Sequence, residues 1–334
     1  MELYEHARPD LLKGKKLLYV HGFASSGQSG TVRALRTLLP ETEVIAPDVP
    51  VDLTGAIPML QDLCASQRPD VILGTSMGGM LAEQLCGYDR ILVNPAFTLA
   101  DTILKNNGLG RQEFHNPRAD GETSFMVTKG LLEGFRTVTD RAFSGDTTAE
   151  AQRVFGLFGL HDTLVNCFDL FAAHYPQAIH FDGEHSLNEK TLLTSVLPLL
   201  QRIDDRQRGL SRRTLLLDLD GVLRSRSVDR GEVAKALRKL ETLYDLYILT
   251  GRSHYDTAGY AEAAAWCDET LGVTAWRRLI QTPRPELLAA DYWLRSPESG
   301  PAPDSFMGTA LTFGKDPLRV WADVLEFFTR LGGQ

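Results

Sequence analysis

The chain has 334 residues, more than one ordinary domain usually holds, so two domains are expected. Its 43% hydrophobic and 23% charged residues are those of a globular protein that can bury a core. A net charge of −8 with no block of lysines or arginines argues against non-specific nucleic-acid binding and leaves room only for a local basic pocket.

The first residues, MELYEHARPDLLKGKK, contain no apolar h-region, and no apolar run approaches the length of a membrane span. Neither a secretory signal nor a membrane segment is expected. Cys64, Cys86, Cys167 and Cys267 are scattered without CxxC or zinc-like spacing, which reads as reduced thiols in a cytoplasmic protein.

Along the chain, short apolar runs bounded by Gly, Pro, Asn or Asp alternate with longer stretches of helical periodicity. Strands are expected at Leu17 to Val20, Val44 to Ala46, Val71 to Leu73 and Ile91 to Val93. Helices are expected between them at Thr31 to Leu39, Leu53 to Ser66 and Met77 to Cys86. Residues 98 to about 148 break the rhythm with NNGLGRQEFHNPRADGETSF, rich in turn formers. An insertion of that kind reads as a cap or lid over a site, with a passive surface excursion as the alternative. The alternation resumes with strands at Val154 to Phe158 and Ala178 to Phe181, then a helical pattern from Ser186 to Ile203. Next comes DDRQRGLSRRT, charged and polar, the best linker candidate. After it come runs at Leu215 to Leu217, Leu246 to Leu249, Leu279-Ile280 and Leu311 to Phe313, then an amphipathic stretch from Pro317 to Leu331. The expected class is α/β, with mostly parallel sheets covered on both faces and domains at 1–205 and 206–334.

The run Val71-Ile72-Leu73 ends in Gly74-Thr75-Ser76-Met77-Gly78, a GxSxG between strand and helix. A serine in that turn needs small neighbours two residues away. The turn lifts its oxygen above the sheet edge and places it at a helix N-terminus, where developing negative charge is favoured. Such a serine needs a base, and the base an orienting acid, in the chain order Ser, Asp, His. Asp162 follows the strand that ends GLHD, and His185 follows the strand that ends FDGEHS. Asp182 competes with Asp162 for the acid role. His161, His174 and His180 fit the base position less well, and His21 belongs to another part of the site. Acyl transfer also needs two N–H donors for the tetrahedral oxygen. The amides of Met77, just after the serine, and of Phe23, in the loop His21-Gly22-Phe23-Ala24, are the candidates.

Together HGFASSGQS, GTSMGG, LVNPA, GLHD and GEHS resemble the YqiA-like esterases, a family of α/β-hydrolases, over residues 15–203. The resemblance implies a compact α/β-hydrolase fold acting on short acyl esters or thioesters without a cofactor. By position it implies Ser76 as nucleophile, Asp162 as acid and His185 as base. Asn94-Pro95 would be structural, turning the chain toward the cap. In the insertion, Phe114 and Phe125 are candidates to line an acyl pocket or pack the lid. Arg111 and Arg118 are candidates to meet an anionic leaving group or to face solvent, and solvent is the reading taken.

In the second half, Thr214 to Leu223 is an apolar strand ending in Asp218-Leu219-Asp220-Gly221. A second strand ends in Thr250-Gly251-Arg252-Ser253. These resemble the first two motifs of the haloacid dehalogenase (HAD) superfamily. That resemblance implies a Rossmann-like domain with Asp218 as phosphorus nucleophile, Asp220 as acid/base, Thr250 as phosphate-holding hydroxyl, and Mg²⁺ bound by Asp218 and Asp220. The rest of the pattern departs. Arg284 stands beside Pro285 where a Lys is needed, and Arg295-Ser296 stands where an acidic pair completes the metal site. Asp291 and Glu298 are the available substitutes. The expectation is a serine esterase or thioesterase with an appended HAD-like domain of degraded catalytic apparatus, taking a small acyl ester or thioester and neither nucleic acid nor membrane. A bifunctional esterase and Mg²⁺-dependent phosphatase is the first alternative, and a non-catalytic interaction protein the second.

Overall fold

Leu17, Leu18, Tyr19 and Val20 are apolar at consecutive positions because their strand is covered on both faces, and all four are buried. A computed structural model describes residues 3–225, 228–251, 255–299 and 302–332. The chain forms two compact units, Met1–Asp204 and Asp205–Gln334.

In the first unit β1 (Lys16–Val20) lies between β2 (Glu43–Ile45) and β3 (Val71–Thr75). Beyond β3 follow β4 (Asp89–Val93), and then two later strands numbered after an antiparallel hairpin, β5 (Gly110–Glu113) and β6 (Ser124–Val127). These two are β7 (Val154–Gly159) and β8 (Ala178–Phe181). The sheet order is β2-β1-β3-β4-β7-β8, with parallel pairing throughout. From β1 the chain steps toward one edge, and from β3 toward the other. Right-handed crossovers then put the helix Gly30–Leu38 on one face and the helices Leu53–Gln67 and Met77–Glu83 on the opposite face. The reversal leaves a crevice between the loops that follow β1 and β3, where parallel sheets take ligands.

Alternate sheet residues Leu18, Val20, Ile72 and Leu92 pack with Leu53, Leu60, Met80 and Leu81 of the helices in one core. Met77–Glu83 is too short to be stable alone, since isolated helices below about 12 residues are marginal in water. Burial of every one of its residues holds it instead. It ends at Glu83 rather than Cys86, where the Gln84 and Leu85 amides turn to the Leu81 and Ala82 carbonyls three residues back, while the buried Glu83 carboxyl accepts hydrogen bonds from the Tyr175 hydroxyl and the Phe143 amide. Gly87, at φ 90°, then turns the chain into β4.

The insertion after β4 is a packed substructure. The helices Leu99–Asn106 and Lys129–Thr139 flank the β5–β6 hairpin. Leu99, Ile103, Leu132, Phe135 and Val138 belong to the same core as the sheet. The turn-forming residues mark its joints, with Gly108 and Gly121 at positive φ.

The closing helical pattern starts at Glu189, where the Asn188 side chain caps the Thr191 amide. It passes through a π-helical turn, Leu192–Val196, into the helix Leu197–Gln207. The expected linker is therefore helical in its first residues. Asp204 is buried there and ion-paired with Lys15 at 2.7 Å, which anchors that helix to its own unit.

The second unit holds β9 (Thr214–Asp218), β10 (Asp245–Thr250), β11 (Leu279–Gln281), β12 (Tyr292–Arg295) and β13 (Thr309–Thr312). Their order is β11-β10-β9-β12-β13, all parallel, so this sheet reverses between β9 and β12. The last helix begins at Trp321, not Pro317, because the Asp323 carboxylate caps it by accepting the Arg319 and Val320 amides. No helix among the described residues is long and apolar enough to cross a membrane.

Candidate active site

Ser76 stands between β3 and the helix Met77–Glu83 with φ 53° and ψ −118°. A non-glycine residue there carries backbone strain of about 1–3 kcal/mol, sustained only where the surroundings enforce it. The enforcement is steric. A Cβ on Gly74 would lie 2.4 Å from the Gly78 carbonyl oxygen, and one on Gly78 would lie 2.1 Å from that of Val20. Only glycine at both places lets the turn close against β1. The Ser76 backbone is also gripped by the segment after β4: its N–H donates to the Val93 carbonyl at 2.9 Å, and its carbonyl accepts from the Ala96 amide at 3.1 Å.

His185 Nε2 lies 2.9 Å from Ser76 Oγ, and His185 Nδ1 lies 2.7 Å from Asp162 Oδ2. Asp162 comes from the loop after β7 and His185 from the loop after β8, so adjacent parallel strands deliver both to one sheet edge. The other Asp162 oxygen accepts the Leu164 and Val165 amides at 2.8 and 3.0 Å. Burial acts to raise its pKa, but the hydrogen bonds from His185 and from those two amides outweigh it. The carboxyl stays below its ordinary value and is ionised at neutral pH. The Asp162 side chain is 2% exposed and that of His185 19%, a sheltered acid behind an accessible imidazole.

Asp182 is engaged elsewhere, 2.6 Å from Lys190 Nζ and 3.1 Å from His161 Nε2 on the surface. His174 pairs with Asp146 and stacks on Phe143, and His180 stacks on Phe168. His21 is a brace. One ring nitrogen meets the Gly22 carbonyl at 2.8 Å, and the other accepts the Val49 amide at 2.9 Å.

The loop after β1 lies against the serine. A Cβ on Gly22 would stand 3.4 Å from Ser76 Cβ and 4.0 Å from its Oγ. Among the described residues, neither the Phe23 amide nor the Met77 amide donates to another backbone group of the protein. The β5–β6 hairpin is tied to this loop. The His115 amide donates to the Ala24 carbonyl at 2.8 Å and Asn116 Nδ2 to Ser25 Oγ at 3.2 Å. Asp48 accepts the Gly27 amide at 2.7 Å with one oxygen and the Ala119 amide at 2.6 Å with the other. The Phe23 ring meets Phe125 edge-on at 5.2 Å, and Phe125 meets Phe114 at 4.8 Å, so both insertion aromatics pack the hairpin onto the loop.

Arg118 does not face solvent, contrary to the sequence reading. Its side chain is 6% exposed, lies over Phe114 at 4.5 Å, pairs with Asp120 and donates to the Val49 carbonyl. Arg111 is exposed on β5.

Asn94, read from sequence as a turn residue, does more than turn the chain. Its Oδ1 accepts the Gly159 amide at 2.8 Å, and its Nδ2 donates to the carbonyls of Glu184 and His185, each at 3.0 Å. The available signal was an Asn before Pro at the end of a buried strand, a polar side chain with no exit to solvent.

In the second unit, Asp218 ends β9 and is 6% exposed. Its Oδ1 accepts Trp293 Nε1 at 2.8 Å, and its Oδ2 accepts the Ser296 amide at 2.9 Å and Ser299 Oγ at 2.8 Å. Asp220 pairs with Arg224 at 2.6 Å, and Thr250 Oγ1 donates to its second oxygen at 3.4 Å. Arg252 and Ser253 lie outside the described residues. Asp291 cannot replace the missing acidic pair. It accepts the Thr214 amide and hydroxyl at the start of β9, the opposite end of the strand from Asp218. Glu298 is exposed, and its amide donates to Ser296 Oγ. These residues do not fit Mg²⁺. The ion needs carboxylate oxygens open to it, whereas the Asp218 carboxylate is 6% exposed and already accepts three donors, one of them a buried indole. Among the described residues there is no group of three or more His, Cys, Asp or Glu that could hold a metal.

Over residues 16–129 the chain matches the model of a family described as "Uncharacterised protein family (UPF0227)". That stretch contains Phe23, Ser76, Met77 and Asn94 and ends before Asp162 and His185. No curated protein matches the chain. Among solved structures it is similar to a monoacylglycerol lipase of Paleococcus ferrophilus, with 14% identity and a TM-score of 0.40 over 55% of this chain and 93% of that one. Est1E of Butyrivibrio proteoclasticus, with ferulic acid bound, gives 13% identity and a TM-score of 0.39 over 60% and 90%. The thioesterase domain from the curacin biosynthetic pathway gives 16% identity and a TM-score of 0.35 over 59% and 92%.

Proposed function

We propose that the first unit is a serine hydrolase of the α/β-hydrolase type that cleaves small carboxylic esters or thioesters through an acyl-serine. The observation that carries this is the unbroken relay from Ser76 Oγ through both His185 nitrogens to Asp162. Ser76 Oγ attacks the carbonyl carbon while its proton passes to His185 Nε2. The imidazolium so formed is stabilised by the ionised Asp162, which holds the Nδ1–H and so fixes the tautomer. The oxyanion is met by the amides of Phe23 and Met77. Collapse of the adduct breaks the bond to the leaving alcohol or thiol, which takes the proton from Nε2. Water then attacks the acyl-serine, gives its proton to His185, and the acid departs as Ser76 recovers the proton.

The reading is tested by turnover of a graded series of aryl esters and by labelling with a fluorophosphonate. Ser76→Ala is expected to lose both while keeping the fold. Undiminished hydrolysis by that variant would remove Ser76 from the mechanism.

For the second unit the reading is a HAD-like module, residues 206–334, without metal-dependent phosphatase chemistry. It is supported by DxDG and Thr250 at the ends of the neighbouring parallel strands β9 and β10, and by the three donors that hold the buried Asp218. The four free cysteines, with Cys86 exposed, fit a reducing compartment such as the cytoplasm.

A further inference from the structure

We infer that Asn94 is a positioning residue for the acid–base pair, a role that rests on the reading of Ser76, Asp162 and His185 as a hydrolytic relay. The three relay groups come from three loops, and short parallel strands alone do not fix loops to within the tolerance that proton transfer requires. The segment from Val93 to Ala96 joins all three. Its backbone grips Ser76 on both sides, through the Val93 carbonyl and the Ala96 amide. The Asn94 side chain then takes hold of the other two loops. It accepts the Gly159 amide, three residues before Asp162, and donates to the carbonyls of Glu184 and of His185 itself.

The geometry accounts for the residue type. Asn94 is 1% exposed, so every polar atom of its side chain must find a partner within the protein. One acceptor and two donors in a planar group match one amide and two carbonyls, a set that Asp, Ser or Leu cannot supply. Its φ of 45° is a region that asparagine tolerates better than other non-glycine residues. Gly159 completes the fit, because a Cβ there would stand 2.6 Å from the Gly183 carbonyl and push the acid loop off the base loop.

The test uses the full chain with two variants. Asn94→Gly removes the side chain and suits the positive φ. Asn94→Asp keeps the shape and the acceptor but turns a carboxylate oxygen toward two carbonyls. Both are measured for thermal unfolding, aryl-ester kcat and KM, and the rate of Ser76 labelling by a fluorophosphonate. Expected are folded proteins with KM unchanged and kcat and labelling rate both reduced by about 100-fold, the scale of a 1 Å misplacement. In an Asp162→Ala background the Asn94 change should cost nothing further, because the pair it positions is already broken. Full kcat in a folded Asn94 variant, or losses that multiply with that of Asp162→Ala, would overturn the inference. So would failure of both variants to fold while Ser76→Ala folds, which would make Asn94 a stability residue alone. A wild-type chain that neither hydrolyses aryl esters nor labels at Ser76 defeats the hydrolase reading itself, and the role of Asn94 with it.

Discussion

Gly78 abuts the carbonyl of Val20 so closely that a Cβ would lie 2.1 Å from the oxygen. The contact joins the helix behind Ser76 to the end of β1, and so holds the two halves of the proposed oxyanion site, the Met77 amide and the loop bearing Phe23, at one spacing. Gly78→Ala must push these elements apart. Forced overpacking of this kind costs about 1–3 kcal/mol. The expected result is a lowered urea midpoint together with loss of fluorophosphonate labelling. A variant of wild-type stability and labelling would show that the turn yields without consequence.

The two acidic candidates of the sequence separate by what surrounds them. Asp162 is sheltered, accepts two amides and holds His185, whereas Asp182 sits in an exposed pair with Lys190 and His161. Asp162→Asn should lower kcat by about 10⁴ by favouring the wrong imidazole tautomer. Asp182→Asn should leave kcat unchanged and cost at most about 1 kcal/mol, the scale of an exposed ion pair. Reversed effects in steady-state assays would reassign the acid.

Most of the site was legible because strand ends are legible. GTSMG, GLHD and GEHS each follow an apolar run, and the rules of parallel sheets bring such ends to one edge. The Asn94 hub was not legible, since its three partners, Gly159, Glu184 and His185, are contacts across sequence that no local pattern announces. Arg118 was misread for a related reason: in a polar, turn-rich stretch an arginine reads as solvated, yet a carbonyl from Val49 and a ring from Phe114 enclose it. Helix ends slipped where capping side chains decided them, as where Asp323 holds the Arg319 and Val320 amides just ahead of Trp321.

His21 gives the first unit a dependence on pH. Burial, more than any other cause, lowers its pKa below 6.5, aided by the nearby charge of Arg118 and opposed by the hydrogen bond to Gly22 and the charge of Asp48. The native state thus keeps the ring neutral at pH values where the unfolded chain already binds the proton. Stability from this group is complete above about pH 6.5 and declines as pH falls toward the depressed native value, by at most about 1.4 kcal/mol per pH unit. Unfolding by urea between pH 7.5 and 5 should show this slope, and His21→Leu should flatten it. An unchanged slope in that variant would place the titration elsewhere.

Asp48 is the pin between hairpin and oxyanion loop, one oxygen on the Gly27 amide and the other on that of Ala119. Asp48→Ala leaves the buried Gly27 amide without its acceptor, worth about 1–3 kcal/mol, and frees the exposed Ala119 amide to water. Limited proteolysis should then cut within residues 110–127 faster than in the wild type, and kcat should fall as the Phe23 amide loses its register. Asp48→Asn keeps one acceptor and should fall between. Proteolysis rates equal in all three proteins would show that the aromatic packing of Phe23, Phe114 and Phe125 suffices to hold the hairpin.

The last prediction concerns Asp218, where the sequence resemblance implies Mg²⁺ and the geometry opposes it. A divalent cation would have to reach, beside the Trp293 indole and the Ser296 amide, a carboxylate that is 6% exposed and already held by both. Both donors lie on or just beyond β12, beside β9 in the sheet, so neither moves without opening the strand pair. The buried Arg295 stacked on Trp293 at 4.4 Å adds a positive charge to the same corner. A bound ion at 100 times its dissociation constant would stabilise the unit by about 2.7 kcal/mol, readily seen in a melting curve. Millimolar Mg²⁺ and EDTA should therefore give the same melting temperature, and aryl phosphate should not turn over with either. Saturable Mg²⁺ binding that disappears in Asp218→Asn would show instead that the three donors give way to the metal, and would restore the bifunctional reading of the chain.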